Sequence, residues 1–169
     1  MRLGYDFYRR DALEVAPGLL GKHIVRQSPE KVETRWLITE TEAYRGEEDL
    51  ACHASKGRTV RTEMMYRNGG VLYIYLIYGM YWMMNIVTAG ENDPQAVLIR
   101  GAEELDGPGK LTRKLGIDKT FNGEDLVKSG RIWVEASGRK PAYKTTPRIG
   151  IDYAGEWKNK PWRYVISGK

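Results

Sequence analysis

The sequence predicts an α+β fold: a single mixed domain over residues 1–169, with a mainly antiparallel β-sheet and a few short helices. Three observations predict it. Short β-favouring runs recur between Gly-, Pro- and Asn-containing breaks. One of them, Val71 to Ile86, contains its own turn signal at Tyr78-Gly79. Helix signals are few, and none is long. With 169 residues, 41% hydrophobic and 29% charged, the chain has enough apolar material for one core and too much for wholesale disorder.

The elements follow in order. Asp11 and Glu14 have capping-box spacing, with Asp in place of Ser or Thr. Leu13, Val15, Leu19 and Leu20 give the helix behind them an apolar face, and Gly18 and Gly21 stop or bend it. His23-Ile24-Val25 reads as a short strand. Val32 to Ala43 alternates as a strand should, with Trp36 and Ile38 on one face. Arg45 to about Asn68 is rich in glycine and charge and reads as a loop. Val71 to Ile86 is the strongest β signal, a hairpin turning at Tyr78-Gly79. Ala96 to Arg100 is a further strand. Gly107-Pro108-Gly109 opens a short basic helix, Lys110 to Leu115, with proline near its start. Asn122 to Leu126 suggests a turn followed by a helix. Arg131–Glu135, Arg148–Ile151 and Trp162–Ile166 complete the strands.

Composition bounds the function loosely. The formal charge is +5, and the whole excess falls after residue 100. A basic balance favours polyanionic partners, although solubility alone would account for it. One cysteine, Cys52, excludes an intrachain disulfide framework and a multi-cysteine zinc site. The first ten residues lack the apolar stretch of a targeting segment. No run reaches the roughly 18 apolar residues of a membrane span. The default is therefore a soluble intracellular monomer with no membrane partner. The aromatics are unusual: 11 Tyr and 5 Trp against 2 Phe. Tyr and Trp combine a flat face with a polar tip, which suits wet recognition surfaces.

Three features carry chemistry. Period two places Glu40, Glu42 and Tyr44 on one strand face, where a strand runs into a loop. A carboxylate in a partly dry site there would have a raised pKa and could serve as a general base; the plainer reading is a solvated face. His53 is one of two histidines and by itself reads as a structural histidine. No second histidine or cysteine lies at ligand spacing, so no metal is expected. Lys56, Arg58, Arg61 and Arg67 make the surrounding loop basic. In the hairpin, Tyr73 and Tyr75 share a face, and Tyr73 reads as packing. Tyr78, at the turn, is badly placed for a core and well placed to wedge between bases.

Glu40-Thr41-Glu42-Ala43-Tyr44, His53-Ala54-Ser55 with Gly57-Arg58-Thr59, and Leu72 to Tyr81 ending in Met84-Asn85 closely resemble the alkyladenine (3-methyladenine) DNA glycosylase family. Val97 to Ala102, Gly107 to Leu111 and Thr146 to Ile151 match the same family in the same order. The resemblance implies a curved sheet with a protruding hairpin. It also implies a monofunctional glycosylase that flips a damaged purine out of duplex DNA, as glycosylases do as a class. On that resemblance Glu42 is the base that activates water for attack at C1′, and Arg100 helps orient the water. A backbone carbonyl between Arg148 and Ile151 shares that task. Tyr44 and His53 hold one side of the base and Tyr75 the other. Asn85 lines the pocket floor, and Tyr78 fills the space the flipped nucleotide leaves. No cofactor is implied. An aromatic sandwich of this kind favours a cationic purine through cation–π attraction. The chain is short for the family, and Val60 stands where relatives carry proline. A non-catalytic damage-binding protein of the same fold is the alternative reading, and an RNA-binding module a third.

Overall fold

Alternating β-branched and aromatic residues between turn signals assemble here into one curled antiparallel sheet of nine strands. The computed structural model describes residues 1–168. The strands are β1 (His23–Gln27), β2 (Glu33–Arg45), β3 (Leu72–Ile77), β4 (Tyr81–Val87) and β5 (Gln95–Ala102). They continue with β6 (Leu105–Asp106), β7 (Ile132–Glu135), β8 (Tyr143–Thr146) and β9 (Arg163–Ile166). The main order is β3-β4-β5-β2-β1-β7, with β6 beside β5, β9 beside β2 and β8 beside β9. The long β2 lies at the centre. Its first half pairs with β1, and its second half is held between β5 and β9. The register of β2 against β5 shifts between Ile38 and Thr41, a bulge that turns the strand before Glu42.

Among the described residues three short α-helices accompany the sheet: α1 (Tyr5–Tyr8), α2 (Ala12–Leu19) and α3 (Pro108–Leu115). Asp11 caps α2, its side chain accepting from the Leu13 amide at 2.8 Å. Arg45, at the end of β2, grips the same carboxylate at 2.7 Å and so ties the helix start to the strand. α2 buries Ala12, Val15, Ala16 and Leu19 against β2 and β5. The Thr41 hydroxyl donates to the Ala16 carbonyl at 2.9 Å, so the Thr41 face of β2 is the helix-covered face. Glu42 faces the other way. α3 has proline in its first turn and ends at Gly116, whose φ of 67° is the left-handed conformation that glycine adopts without strain.

The sequence and the structure part at two places. Lys119–Phe121 forms a 3₁₀ turn before Asn122, and no helix follows. The backbone there is used laterally instead. Gly123 donates to the Leu72 carbonyl, Leu72 to that of Glu124, and Leu126 to that of Gly70. These bonds hold the segment, with its turn at Asn122-Gly123, against the start of β3, which competes with coiling.

Arg148–Ile151 is irregular chain, and the strand lies just before it, at Tyr143–Thr146. Pro147 has no amide hydrogen to continue a ladder. The Arg148 guanidinium, fully buried, then takes over as the organising contact. It binds Asp49 at 2.6 and 2.9 Å, the Ala43 carbonyl at 3.0 Å and the Trp157 carbonyl at 3.2 Å. Asp49 in turn accepts from the amides of Arg45 and Ala51, each at 3.0 Å. One ion pair thus pins the chain after β2 to the chain after β8. We expect Asp49→Asn to leave Arg148 buried without its counter-charge. Removing one partner of such a pair costs about 3–5 kcal/mol, or a melting temperature lower by about 10 °C at this chain length. Differential scanning calorimetry of the purified variant measures this directly.

Candidate active site

A row of paired residues runs across the sheet. Tyr73 faces Asn85, Asn85 faces Leu98, Leu98 faces Glu42, and Glu42 faces Arg163. Residues directly opposite one another in a ladder present their side chains to the same face. The neighbours two positions along, Tyr75, Met83, Ala96 and Arg100, share that face by the period of the strand. Above them lies a cavity of about 380 Å³. Its lining includes Tyr44, His53, Tyr73, Tyr75, Tyr78, Asn85 and Arg100, with the Ile149–Ile151 backbone and Tyr153 at one side. The structure therefore brings six of the seven site residues read from the sequence into one lining.

The seventh, Glu42, sits behind that lining. It is 0% exposed. One carboxylate oxygen accepts from the Tyr44 hydroxyl at 2.8 Å, and the other from the Ile149 amide at 2.7 Å. Arg100 Nη1 is 3.7 Å from the first of these oxygens. Arg100 is shared, however. Its Nε bonds Glu40 at 3.1 Å, and Glu40 also accepts from Arg163 at 2.7 Å. Burial pushes the Glu42 pKa up, and the lowering effects of Arg100, the Ile149 amide and the Tyr44 hydroxyl fall short of cancelling it. Division of Arg100 between two carboxylates is one reason they fall short. The Arg148–Ile151 segment thus reaches Glu42 through the N–H of Ile149. Nothing local along the chain marks that amide, because only the irregular backbone brings it there.

The aromatic walls need one correction. The rings of His53 and Tyr75 are in contact, with centroids 4.4 Å apart. A purine stacked between two rings needs about 7 Å between their faces, twice an ordinary van der Waals separation. His53 therefore belongs to the Tyr75 wall, not to the Tyr44 wall. It sits at the start of a 3₁₀ turn, His53–Lys56, and its Nδ1 is 2.8 Å from the Tyr73 hydroxyl. Tyr73, which reads from sequence as packing alone, is the residue that orients this imidazole. Burial, with Arg61 and Lys56 nearby, lowers the His53 pKa to about 4, so the ring is neutral at physiological pH. Asn85 is buried on β4 and donates to the Tyr73 carbonyl at 3.2 Å.

Tyr78 stands apart at the hairpin tip, 86% exposed. Its φ of 52° and that of Gly79, 65°, are both left-handed, and Met80 N–H returns to the Ile77 carbonyl at 3.0 Å. This primed turn matches the twist of the flanking strands. A non-glycine residue held left-handed is uncommon, and here it projects the tyrosine outward beside the exposed Met80. Across the cavity mouth Tyr153 is 70% exposed. Sequence reasoning missed it because it lies in the 3₁₀ stretch Asp152–Asn159, which carries no strong periodicity. Among the described residues no group of His, Cys, Asp and Glu has the arrangement of a metal site. No helix among them is long and apolar enough to cross a membrane.

The family model described as Methylpurine-DNA glycosylase (MPG) matches residues 6–107 and 103–169. The chain belongs to that family. Its relatives extend over nearly the whole sequence. A protein of Methanocella arvoryzae is 45% identical over 180 residues, covering 94% of this chain and 89% of its own length. One of Natranaerobius thermophilus is 40% identical over 191 residues, covering 98% and 96%. One of Rickettsia felis is 43% identical over 169 residues, covering 96% and 91%. All three carry the provisional name 3-methyladenine DNA glycosylase. Membership places this glycosylase among the N-glycosyl hydrolases of DNA repair.

The raised pKa of Glu42 has a consequence for stability. A carboxyl that holds its proton more tightly folded than unfolded contributes most at low pH, and the contribution is lost as pH rises through the folded-state pKa. Glutamine removes the buried charge and keeps both hydrogen bonds, since the Tyr44 hydroxyl can turn to accept from the amide. We therefore expect Glu42→Gln to melt about 2–4 °C above the wild type at pH 7. The difference should shrink toward zero in acid. Melting curves from pH 4 to 8 test both the sign and the trend.

Proposed function

We propose that this chain is a single-domain, monomeric, monofunctional glycosylase that removes alkylated purines from duplex DNA, and deaminated or etheno purines as well. The observation that carries the reading is a buried, proton-avid carboxylate beside an arginine at the edge of an aromatic cavity with room for a purine. The damaged nucleotide turns out of the stack, and its base enters between Tyr44 on one side and the Tyr75–His53 wall on the other. Flipping costs a few kcal/mol, least for a damaged or mispaired base. Tyr78, exposed on a rigid turn, fills the space left in the duplex.

The chemistry then needs a nucleophile and a counter-charge. Glu42 takes a proton from water as the water oxygen bonds C1′. The C1′–N bond breaks, and its electron pair leaves with the base. Positive charge on the sugar in the transition state is stabilised by the same carboxylate, as in glycoside hydrolysis. Arg100, held by Glu40, fixes the carboxylate and the water. A cationic alkylated purine departs as a neutral base; a neutral lesion must gain a proton as it leaves. Water is the nucleophile, so the product is an abasic site in an unbroken strand.

Three outcomes check this. Glu42→Gln keeps its affinity for lesion-containing duplex and loses base release by at least about 10²-fold, the usual worth of a positioned base. Single-turnover assays with alkaline cleavage of the abasic product measure it. In the wild type, release rises with pH along an acid limb lying above the usual carboxylate pKa of about 4.3, because Glu42 must be ionised. Tyr78→Ala leaves folding intact and weakens flipping of stably paired lesions, by about tenfold for the roughly 1–3 kcal/mol of one stacking contact. A base-analogue fluorophore beside the lesion reports the loss.

A further inference from the structure

Both aromatic walls of the cavity are engaged by cations from outside it. The Arg148 guanidinium lies 4.9 Å from the Tyr44 ring centroid, and that of Arg61 lies 5.5 Å from the Tyr75 centroid. Neither arginine lines the cavity. A ring face attracts a cation through its quadrupole. A cationic base on the inner face would also feel the full charge of the arginine on the outer face, about 9 Å away once a stacking distance is added.

The two arginines differ in how their charge is balanced. Arg148 is matched in contact by Asp49, and Arg100, inside the cavity, by Glu40. Arg61 is exposed, and its neighbours at the wall are the Tyr75 ring and the Tyr73 hydroxyl. Lys56 adds a second positive charge beside His53. Among the described residues no carboxylate pairs with Arg61 behind the Tyr75–His53 wall, whereas the Tyr44 wall is backed by a neutral pair.

Resting on the reading that the cavity takes a flipped purine, we propose that Arg61 is a specificity-determining residue. Placed outside the Tyr75–His53 wall, it disfavours cationic N-alkylated purines relative to neutral purine lesions. It acts by its charge, through Tyr75, and not by contact with the base.

The test compares binding in the Glu42→Gln background, so that base release does not interfere. Two duplexes of one sequence carry either 7-methylguanine, which is cationic, or hypoxanthine, which is neutral. Arg61→Gln should raise the affinity ratio of 7-methylguanine to hypoxanthine about fivefold at low salt. Arg61→Lys, which keeps the charge, should leave the ratio within about twofold, and Arg61→Glu should move it further than Gln. The gain should fade in high salt, because Arg61 is exposed. Any loss of general phosphate binding acts on both duplexes and cancels in the ratio. An unchanged ratio in Arg61→Gln, or an equal shift in Arg61→Lys, overturns the inference. Failure of the parent to prefer either lesion over undamaged duplex overturns the proposed function instead.

Discussion

A carboxylate withdrawn from water has to be surrounded by donors, and much of this molecule exists to place donors around Glu42. Its two oxygens are met by a phenol from its own strand and an amide from a segment more than 100 residues away. That amide is in place because Arg148, one residue earlier, is locked to Asp49. Asp49 is in place because its other hydrogen bonds close the turn after β2. The two buried charge centres therefore depend on each other. The Arg148–Asp49 pair is close and fully buried, although the Arg148 Nε meets no hydrogen-bond partner among the described residues; the Glu42–Arg100 contact is longer and shared. A carboxylate fully neutralised by a close arginine would have little affinity left for a proton.

The same arrangement separates rigid parts from adaptable ones. The floor of the cavity belongs to the sheet, with Asn85, Leu98 and Glu42 in one transverse row. The walls combine strand and loop, with Tyr75 on β3. Tyr44 ends β2 under the Arg148 guanidinium, while His53 rides on a one-turn 3₁₀ element after the basic loop begins.

Much of this was legible in the sequence because it rests on period and punctuation. Glu40, Glu42 and Tyr44 share a face by strand alternation, and that face is the cavity side. Tyr78-Gly79 announced the hairpin tip by residue type alone, and both residues take the left-handed conformation that such a turn requires. What was not legible depends on long-range partners. Arg148–Ile151 looks like a strand because its apolar pattern is real; a buried guanidinium then organises it otherwise, and nothing local reveals that Asp49 will meet it. At Asn122–Leu126 the expected turn forms but the helix does not, for the same reason, its hydrogen bonds going to Gly70 and Leu72. The grouping of His53 with Tyr75 is a matter of ring contact, which no spacing along the chain encodes.

The transverse row across β3, β4, β5 and β2 carries a last consequence, for how such a chain can change length. Every member of the row faces the cavity by parity. One residue inserted in or deleted from β5 would turn Leu98 and Arg100 to the helix-covered side while leaving composition, charge and nearly all hydrophobicity untouched. The same edit in the connection after α3, or in the exposed stretch around Val60, would leave the row undisturbed. Length variation should therefore be confined to the connections, and a chain can grow short there with its chemistry intact.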